Sequence, residues 1–248
     1  MIQTALQLYT VRSFTARNML ATIRQIAAMG YTAIELAGLG DASPRQIRHT
    51  LDDCGMLALG AHIQLADLVQ RRYQILADVQ TIGCAFVVVP WVPVQYRQSP
   101  DAVQRLAETL NQIGLDLKTE GFHFAYHNHD YEFKPLANSN MWDLLVAALD
   151  PRFVTFELDL YWAQFAGYKP LDLIESLAGQ IPLIHFKDMA ADHTRADVPL
   201  GVGIMPWKQI LAACEAAGTR WAIVEQDHPR NPMVDVQTSL AFLRELKP

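Results

Sequence analysis

Apolar, strand-like runs alternate with segments of helical periodicity along the whole chain. The strand candidates are residues 4–9, 32–36, 57–62, 85–89, 122–128, 153–159, 181–187 and 221–225. Helical spacing is clear between them, for example at Leu20, Ile23 and Ile26. Ser43 followed by Pro44 is typical of a helix start. The pattern predicts eight strands and eight helices, and their strict alternation implies a parallel sheet.

Eight strand–helix units without a break in composition favour a closed barrel over an open sheet. A (β/α)8 barrel takes about 250 residues in one domain, and the chain has 248. The glycine-rich fingerprints of dinucleotide and nucleoside triphosphate sites do not occur in the sequence. We therefore predict an α/β protein made of a single (β/α)8 TIM barrel domain over residues 1–248.

Composition and charge restrict the classes of partner. The chain is 51% hydrophobic with a formal net charge of -6, which disfavours nonspecific attraction to nucleic acid or anionic lipid. No apolar run approaches the ~20 residues that span a bilayer, and the first residues lack the pattern of a signal peptide. The three cysteines are far apart, which favours a reducing compartment. We expect a cytoplasmic protein with no nucleic acid or membrane partner, and a homo-oligomer is compatible with the sequence.

Three strand candidates end in potential metal ligands. In a closed parallel barrel every strand ends at the same rim, and side chains two residues apart share a face. Asp159, His185 and Glu225 occupy the last inward positions of the sixth, seventh and eighth strands. Charged groups at the ends of apolar strands are costly unless they are paired or metal-bound. A carboxylate, imidazole and carboxylate set suits Mn²⁺, Zn²⁺, Co²⁺ or Fe²⁺ better than Ca²⁺.

The fifth strand candidate ends in a segment crowded with imidazole and carboxylate groups, residues 127–132. One further protein ligand is needed from it. The spacing leaves His127, His129 and Glu132 as alternatives for that ligand, and the groups that remain would meet substrate.

Several motifs together resemble a known family. They are Leu6-Gln7-Leu8-Tyr9-Thr10-Val11-Arg12, Tyr126-His127-Asn128-His129-Asp130-Tyr131-Glu132-Phe133, Leu158-Asp159-Leu160-Tyr161-Trp162, His185-Phe186-Lys187-Asp188 and Gly201-Val202-Gly203 with Pro206-Trp207. The set is similar to the sugar phosphate isomerase/epimerase family, the xylose isomerase-like barrel group. That group also holds inosose dehydratases, hydroxypyruvate isomerases, ketose 3-epimerases and endonuclease IV. The resemblance spans nearly the whole chain and is specific for the superfamily, not for a substrate.

The resemblance implies a divalent metal, most often Mn²⁺, bound by Glu, Asp, His and Glu at the ends of strands five to eight. By position, Asp159, His185 and Glu225 match the last three ligands. The first is a glutamate in ketose epimerases, and its role falls here to Glu132 or to one histidine. With Glu132, the predicted metal ligands are Glu132, Asp159, His185 and Glu225.

The chemistry that fits is proton abstraction next to a carbonyl through an enediolate. Four residues are predicted to be catalytic: Glu225, Glu132, His127 and Lys187. Five are predicted to bind substrate: Gln7, Glu35, His62, His129 and Trp162. Ketose epimerases often carry a histidine at the position of Trp162, so one polar substrate contact is expected to be replaced by stacking.

The predicted function is a divalent-metal-dependent isomerase or epimerase that acts on a keto-sugar or polyol. A dehydratase of a keto-polyol such as an inosose needs the same metal and base, and remains an alternative. A barrel that binds sugar without turnover is a second alternative. A phosphodiesterase like endonuclease IV is disfavoured because the chain is acidic and has no basic stripe for DNA.

Overall fold

Eight parallel strands close into one barrel in the computed structural model, which describes residues 2–246. The strands are β1 Gln3–Gln7, β2 Ala33–Leu36, β3 Leu57–His62, β4 Phe86–Val89, β5 His123–His127, β6 Thr155–Asp159, β7 Leu183–Phe186 and β8 Trp221–Val224. Strands that follow one another in the sequence are neighbours in the barrel, and β8 closes on β1. The predicted single (β/α)8 TIM barrel fold is confirmed.

Most of the predicted strands are too long at their ends. Only 57–62 keeps its predicted bounds, and the chain leaves β7 before Lys187 and β8 before Glu225. After β1, the side chain of Gln7 accepts a hydrogen bond from Tyr9 N, which starts a 3-10 helix at Leu8–Val11. Strand β1 therefore ends where a side-chain hydrogen bond offers the backbone another conformation.

The helices number eleven among residues 2–246, more than the eight predicted. They are α1 Arg12–Thr15, α2 Met19–Met29, α3 Pro44–Cys54, α4 Leu65–Gln70, α5 Arg72–Ile82, α6 Pro100–Thr119, α7 Met141–Ala148, α8 Leu160–Phe165, α9 Pro170–Ser176, α10 Trp207–Ala216 and α11 Pro232–Leu246. The short helices α1, α4 and α8 form in connections that follow barrel strands. Further 3-10 helices span Val94–Tyr96 and Tyr131–Phe133.

Helix α3 begins where the sequence predicts. Ser43 accepts a hydrogen bond from the backbone of Gln46, whose side chain accepts one from Ser43 N, and Pro44 is the first helical residue. This capping box satisfies amide groups that have no partner inside the helix. Gly55 ends the helix in the left-handed region with a φ of 63°, which glycine adopts without the strain of a Cβ atom.

Two apolar cores hold the barrel together. The larger one lies between the strands and the helices. The smaller one fills the lower interior of the barrel and is formed by Ala5, Ala33, Leu59, Phe86, Val88, Ala125, Leu183 and Ile223. In the part of the chain that the structure describes, no helix combines the length and the hydropathy needed to cross a bilayer.

Candidate metal centre and active site

The barrel interior changes from apolar to charged within one layer of side chains. Side chains alternate along a strand, so the next inward residue on each strand lies one layer closer to the mouth. The successive inward pairs are Ala5 and Gln7, Ala33 and Glu35, Ala125 and His127, Leu183 and His185, and Ile223 and Glu225. The second member of each pair is buried. The strand alternation alone therefore gathers polar groups above an apolar floor.

Three of these groups, together with Asp159, form what we call the mouth group: His127, Asp159, His185 and Glu225. One ligand atom from each lies within 4.8 Å of the others. Asp159 and His185 are register partners on β6 and β7, and His185 Nδ1 lies 2.8 Å from Glu225 Oε2. Asp159, His185 and Glu225 thus converge as the sequence predicts.

A second set lies around the other edge of His185, and we call it the deep group: Glu35, His62 and Glu157. Glu157 Oε1 lies 2.7 Å from His62 Nε2 and 3.0 Å from His185 Nε2. Glu35 Oε2 lies 3.0 Å from the same His185 nitrogen. His62 and Glu157, together with His127 and His185, also come close enough to hold a cation.

Lys187 is fully buried and lies among three carboxylates. Its Nζ is 3.0 Å from Asp159 Oδ2, 2.9 Å from Glu225 Oε2 and 2.7 Å from Asp227 Oδ2. Burial alone would lower the pKa of Lys187, but the three carboxylates hold it well above its usual range. Lys187 therefore stays protonated and can donate a hydrogen bond, but it cannot act as a base.

The residues of the mouth group differ in ionisation state, because their surroundings shift their pKa values in different directions. Burial alone would raise the pKa of Glu225, but Lys187 and His185 hold it well below its usual range. Burial raises the pKa of Asp159 to about 6, although Lys187 opposes the change. Burial, and then the neighbouring His185 and His62, lower the pKa of His127 well below its usual value. His127 is therefore a neutral imidazole at pH 7, the form that binds metals.

Glu132 lies outside both groups. Its Oε1 accepts a hydrogen bond from Tyr126 Oη at 2.8 Å, and its Oε2 accepts one from His129 N at 2.9 Å. The carboxylate is fully buried in the 3-10 helix after β5 and holds the turn together. Among the three alternatives that the sequence leaves at this strand end, the geometry brings His127 to the mouth group.

Asn128 ties the ends of β5 and β6 together. Its side chain donates to Asp159 O at 3.2 Å and accepts from Asp159 N at 2.9 Å. Asp159 Oδ1 in turn accepts from Trp162 N at 2.9 Å and caps helix α8. These bonds fix the backbone that carries His127 and Asp159.

A cavity of about 530 Å³ opens above the mouth group, within the size range of small-molecule sites. His62, His127, His129 and Glu225 line it, with Tyr9 and Trp91 among the aromatic residues at its wall. Two residues predicted to bind substrate, His62 and His129, thus face the cavity.

The other predicted substrate contacts are placed differently. Gln7 and Glu35 are fully buried and hydrogen-bonded to each other at 2.8 Å, and the described lining of the cavity includes neither. Trp162 packs beside His129, with ring centroids 5.7 Å apart, and its Nε1 has no hydrogen-bond partner within residues 2–246. For Trp162 the predicted substrate contact stays a prediction.

Two residues of the site were missed by the sequence analysis. Glu157 precedes Asp159 by two residues and shares its face of β6, so its inward direction was readable from the alternation. Its contact with three histidines was not readable, because those come from other strands. Asp227 follows Glu225 outside the strand, and its pairing with Lys187 depends on the path of the loop.

Asp188 holds the glycine motif Gly201-Val202-Gly203 that follows β7. Its carboxylate accepts hydrogen bonds from Gly201 N at 2.9 Å, Gly203 N at 3.2 Å and Trp207 Nε1 at 2.8 Å. A Cβ on Gly203 would lie 2.3 Å from Asp188 Oδ1. The motif therefore shapes the loop at the barrel mouth and does not add a ligand.

The mouth group fits a divalent cation. Its donor set of two imidazoles and two carboxylates suits a transition metal better than Ca²⁺. Asp159 Oδ2 is buried without a well-aligned hydrogen bond in the described chain, although Lys187 Nζ is 3.0 Å away. Three buried or partly buried carboxylates, those of Asp159, Glu225 and Asp227, surround Lys187, and two more, those of Glu35 and Glu157, lie against His185. Such an excess of buried negative charge favours a bound cation.

Comparisons with known proteins agree with the barrel fold. A family model for the xylose isomerase-like TIM barrel matches residues 23–246. The chain is also 24% identical over 197 residues to inosose dehydratase from Geobacillus kaustophilus (strain HTA426). This match covers 68% of the chain and 62% of that protein, so the chain spans less than two thirds of the length of this curated relative.

Solved structures show the same fold. A sugar phosphate isomerase/epimerase from Parabacteroides distasonis superposes with a TM-score of 0.87, at 21% identity over 99% of this chain and 98% of that one. D-psicose 3-epimerase, crystallised in the presence of D-fructose, gives a TM-score of 0.75 at 16% identity over 99% of both chains. Because the family model covers nearly all of the described residues, the protein belongs to the xylose isomerase-like TIM barrel family.

Proposed function

We propose that the protein is a divalent-metal-dependent isomerase or epimerase that acts on a keto-sugar or keto-polyol by moving a proton next to the carbonyl. The observation that carries this proposal is the mouth group, a buried set of two imidazoles and two carboxylates at the floor of a cavity of about 530 Å³. The similarity to proteins named as an isomerase/epimerase and as an epimerase supports the same reaction class.

His127, Asp159, His185 and Glu225 are the proposed metal ligands. We assign the first ligand to His127 and not to Glu132, because both oxygens of Glu132 already accept hydrogen bonds. Mn²⁺ is the metal expected from the family, and Zn²⁺, Co²⁺ and Fe²⁺ suit the same donors. A cation bound here supplies Lewis acidity that polarises a substrate carbonyl.

Glu225 and His127 are the proposed proton-transfer groups. Both line the cavity, and they come from strand ends that are not neighbours in the barrel. Glu225 is ionised because Lys187 and His185 offset the effect of burial on its pKa, so it can accept a proton. The neutral ring of His127 can take up the proton that Glu225 has accepted and return it to the substrate carbon. A positioned acid or base of this kind contributes about 10²–10⁴-fold to the rate.

Lys187 is the proposed electrostatic partner of the developing oxyanion. Its ammonium group lies 2.9 Å from Glu225 and 3.0 Å from Asp159, so it borders the proposed reaction centre. Because its pKa is held high by these carboxylates, it supplies a proton donor and a fixed positive charge.

We further propose that the substrate carries no phosphate. The residues that line the cavity in the described structure include Asp67, Asp78, Glu225 and Asp227 but no lysine or arginine. A phosphate group needs cationic or amide donors. The loop after β8 adds acidic Asp227 and only one arginine, Arg230.

A dehydratase is the second candidate, favoured by the match to inosose dehydratase. The same proton abstraction leads to loss of water when a hydroxyl group lies on the next carbon. Lys187 would then donate to the departing hydroxyl.

A metal-loaded activity screen tests the proposal. The full chain is stripped of metal, reloaded with Mn²⁺, and incubated in D₂O with keto-sugars, inososes and the phosphorylated form of each keto-sugar. We expect deuterium to enter the carbon next to the carbonyl of an unphosphorylated substrate, as followed by NMR. Ultraviolet absorption of an enone product would select the dehydratase instead.

Binding of less than about one divalent ion per chain would reject the metal centre. One bound ion with sugar binding but no turnover or exchange would favour the non-catalytic barrel. Faster turnover of the phosphorylated substrate would reject the unphosphorylated substrate class.

A further inference from the structure

His185 presents opposite edges of its ring to two different carboxylates. Nδ1 lies 2.8 Å from Glu225 Oε2, on the side of the mouth group, and Nε2 lies 3.0 Å from Glu35 Oε2. When a cation binds to one nitrogen of this ring, the other nitrogen keeps its proton. The groups that face each edge of the ring therefore decide which nitrogen keeps the proton and which nitrogen binds a cation.

Glu35 is itself held firmly in place. Its Oε2 also accepts a hydrogen bond from Gln7 Nε2 at 2.8 Å. Gln7 and Glu35 are register partners on β1 and β2, and the pairing of β2 with β3 shifts by a bulge between Ile34 and Glu35. Bulges of this kind redirect a side chain. Both polar side chains are fully buried, so the Glu35 carboxylate faces the ring of His185 and not the cavity.

Glu157 also favours a proton on His185 Nε2. Its Oε1 lies 3.0 Å from His185 Nε2, although that oxygen is closer to His62 Nε2, at 2.7 Å. A lone pair on His185 Nε2 would face two buried carboxylate oxygens, whereas an N–H group there is stabilised by them.

We propose that Glu35, anchored by Gln7, is a positioning residue for the metal ligand His185. Glu35 accepts the N–H of Nε2 and thereby leaves Nδ1, on the side of Glu225, as the metal-binding atom. This inference rests on the proposed metal centre. Carboxylates that orient a metal-binding histidine in this way contribute 10–100-fold to metal affinity.

Two substitutions of the same position separate orientation from simple packing. Glu35→Gln keeps an oxygen that accepts the Nε2 proton, whereas Glu35→Met keeps the volume and removes the acceptor. For the full chain, we expect the dissociation constant for Mn²⁺, measured by calorimetry, to rise 10–100-fold in Glu35→Met and by less in Glu35→Gln. Asp235→Asn is the control, since Asp235 is a buried carboxylate on α11 whose Oδ2 accepts from Asn231 N, and its affinity should match the wild type.

An unchanged affinity in Glu35→Met, or equal losses in both Glu35 variants, would overturn the positioning role. A wild-type chain that binds no Mn²⁺ would instead reject the proposed metal centre itself, so the two failures are distinguishable.

A second measurement needs no variant at Glu35. In the Zn²⁺-loaded wild-type chain, long-range ¹H–¹⁵N NMR reports which nitrogen of His185 carries the proton. We expect a protonated Nε2 and a zinc-bound Nδ1. A zinc-bound Nε2 would place the cation in the deep group and would refute the proposal.

Discussion

The lower and upper halves of the barrel interior are built from the same strands and are stabilised in opposite ways. The lower layer is apolar, with Leu59, Phe86 and Ile223 buried at its centre. The upper layer, two residues further along the strands, buries carboxylates, imidazoles and Lys187. Apolar burial stabilises the lower layer directly. The charges of the upper layer are tolerated only because each is paired, since an unpaired buried charge costs several kcal/mol.

The lower layer stabilises the fold, and the upper layer holds the proposed site. Packing in the lower layer closes the barrel and depends on volume, so it tolerates changes that conserve volume. The buried charges of the upper layer contribute little net stability. Its residue types are instead those that the proposed metal centre requires. Substitutions in the two layers should therefore have different signatures.

Removal of Lys187 should cause the largest loss of stability in the upper layer. Lys187→Met keeps a long side chain but leaves Asp159, Glu225 and Asp227 without their shared cation. We expect the free energy of unfolding of the metal-free chain to fall by about 3–5 kcal/mol, as for other broken buried ion pairs. Urea denaturation measures the change.

Lys134→Met is the matched control, because Lys134 also pairs with an aspartate, Asp130, at 2.8 Å but has a side chain that is 65% exposed. Its loss should cost about 0–1 kcal/mol. Equal costs for the two lysine variants would mean that the buried carboxylates do not depend on Lys187.

A ligand variant and a packing variant should separate metal binding from stability. Asp159→Asn keeps the oxygen that caps α8 and removes the anionic ligand. We expect it to lose Mn²⁺ and to lower turnover by about 10²–10³-fold, because a Lewis acid is worth several kcal/mol. The fold should persist, as followed by circular dichroism.

Leu59→Ala in the lower layer should do the reverse. Its free energy of unfolding should fall by about 2–5 kcal/mol, while calorimetry shows an unchanged Mn²⁺ affinity. Metal loss in Leu59→Ala, or retained metal and turnover in Asp159→Asn, would contradict the separation of the two layers.

The same two layers explain how much the sequence could predict. The alternation of strands and helices predicts the closed barrel, and the alternation of faces predicts that Asp159, His185 and Glu225 meet at its mouth. Both depend on local periodicity, which a single sequence displays. Family resemblance adds the expected metal and reaction class, which periodicity does not contain.

What could not be predicted depends on the hydrogen-bond partners that each polar side chain finds in the folded chain. The position of Glu132 is decided by Tyr126 Oη and His129 N, which take its two oxygens. The roles of Gln7 and Glu35 depend on strand pairing and on a bulge, neither of which leaves a pattern in the sequence. The direction of a polar side chain near a strand end is therefore determined by its neighbours in space.

Glu132→Gln should have the smallest effect, and it tests whether the neighbours of Glu132 decide its position. Burial raises the pKa of Glu132 from 4.5 to about 7, against the hydrogen bonds from Tyr126 and His129 N. The folded chain thus holds this proton more tightly than the unfolded chain, so the stability that Glu132 contributes is complete below pH 4.5 and is lost as the pH rises through 7. The variant loses one acceptor and should be about 1–3 kcal/mol less stable, with the largest difference from wild type near pH 4.5. Urea denaturation of the metal-free chains from pH 4.5 to 7.5 measures this difference, and a difference independent of pH would refute the assignment. Mn²⁺ affinity should stay at the wild-type value, whereas a loss of tenfold or more would return Glu132 to the ligand set.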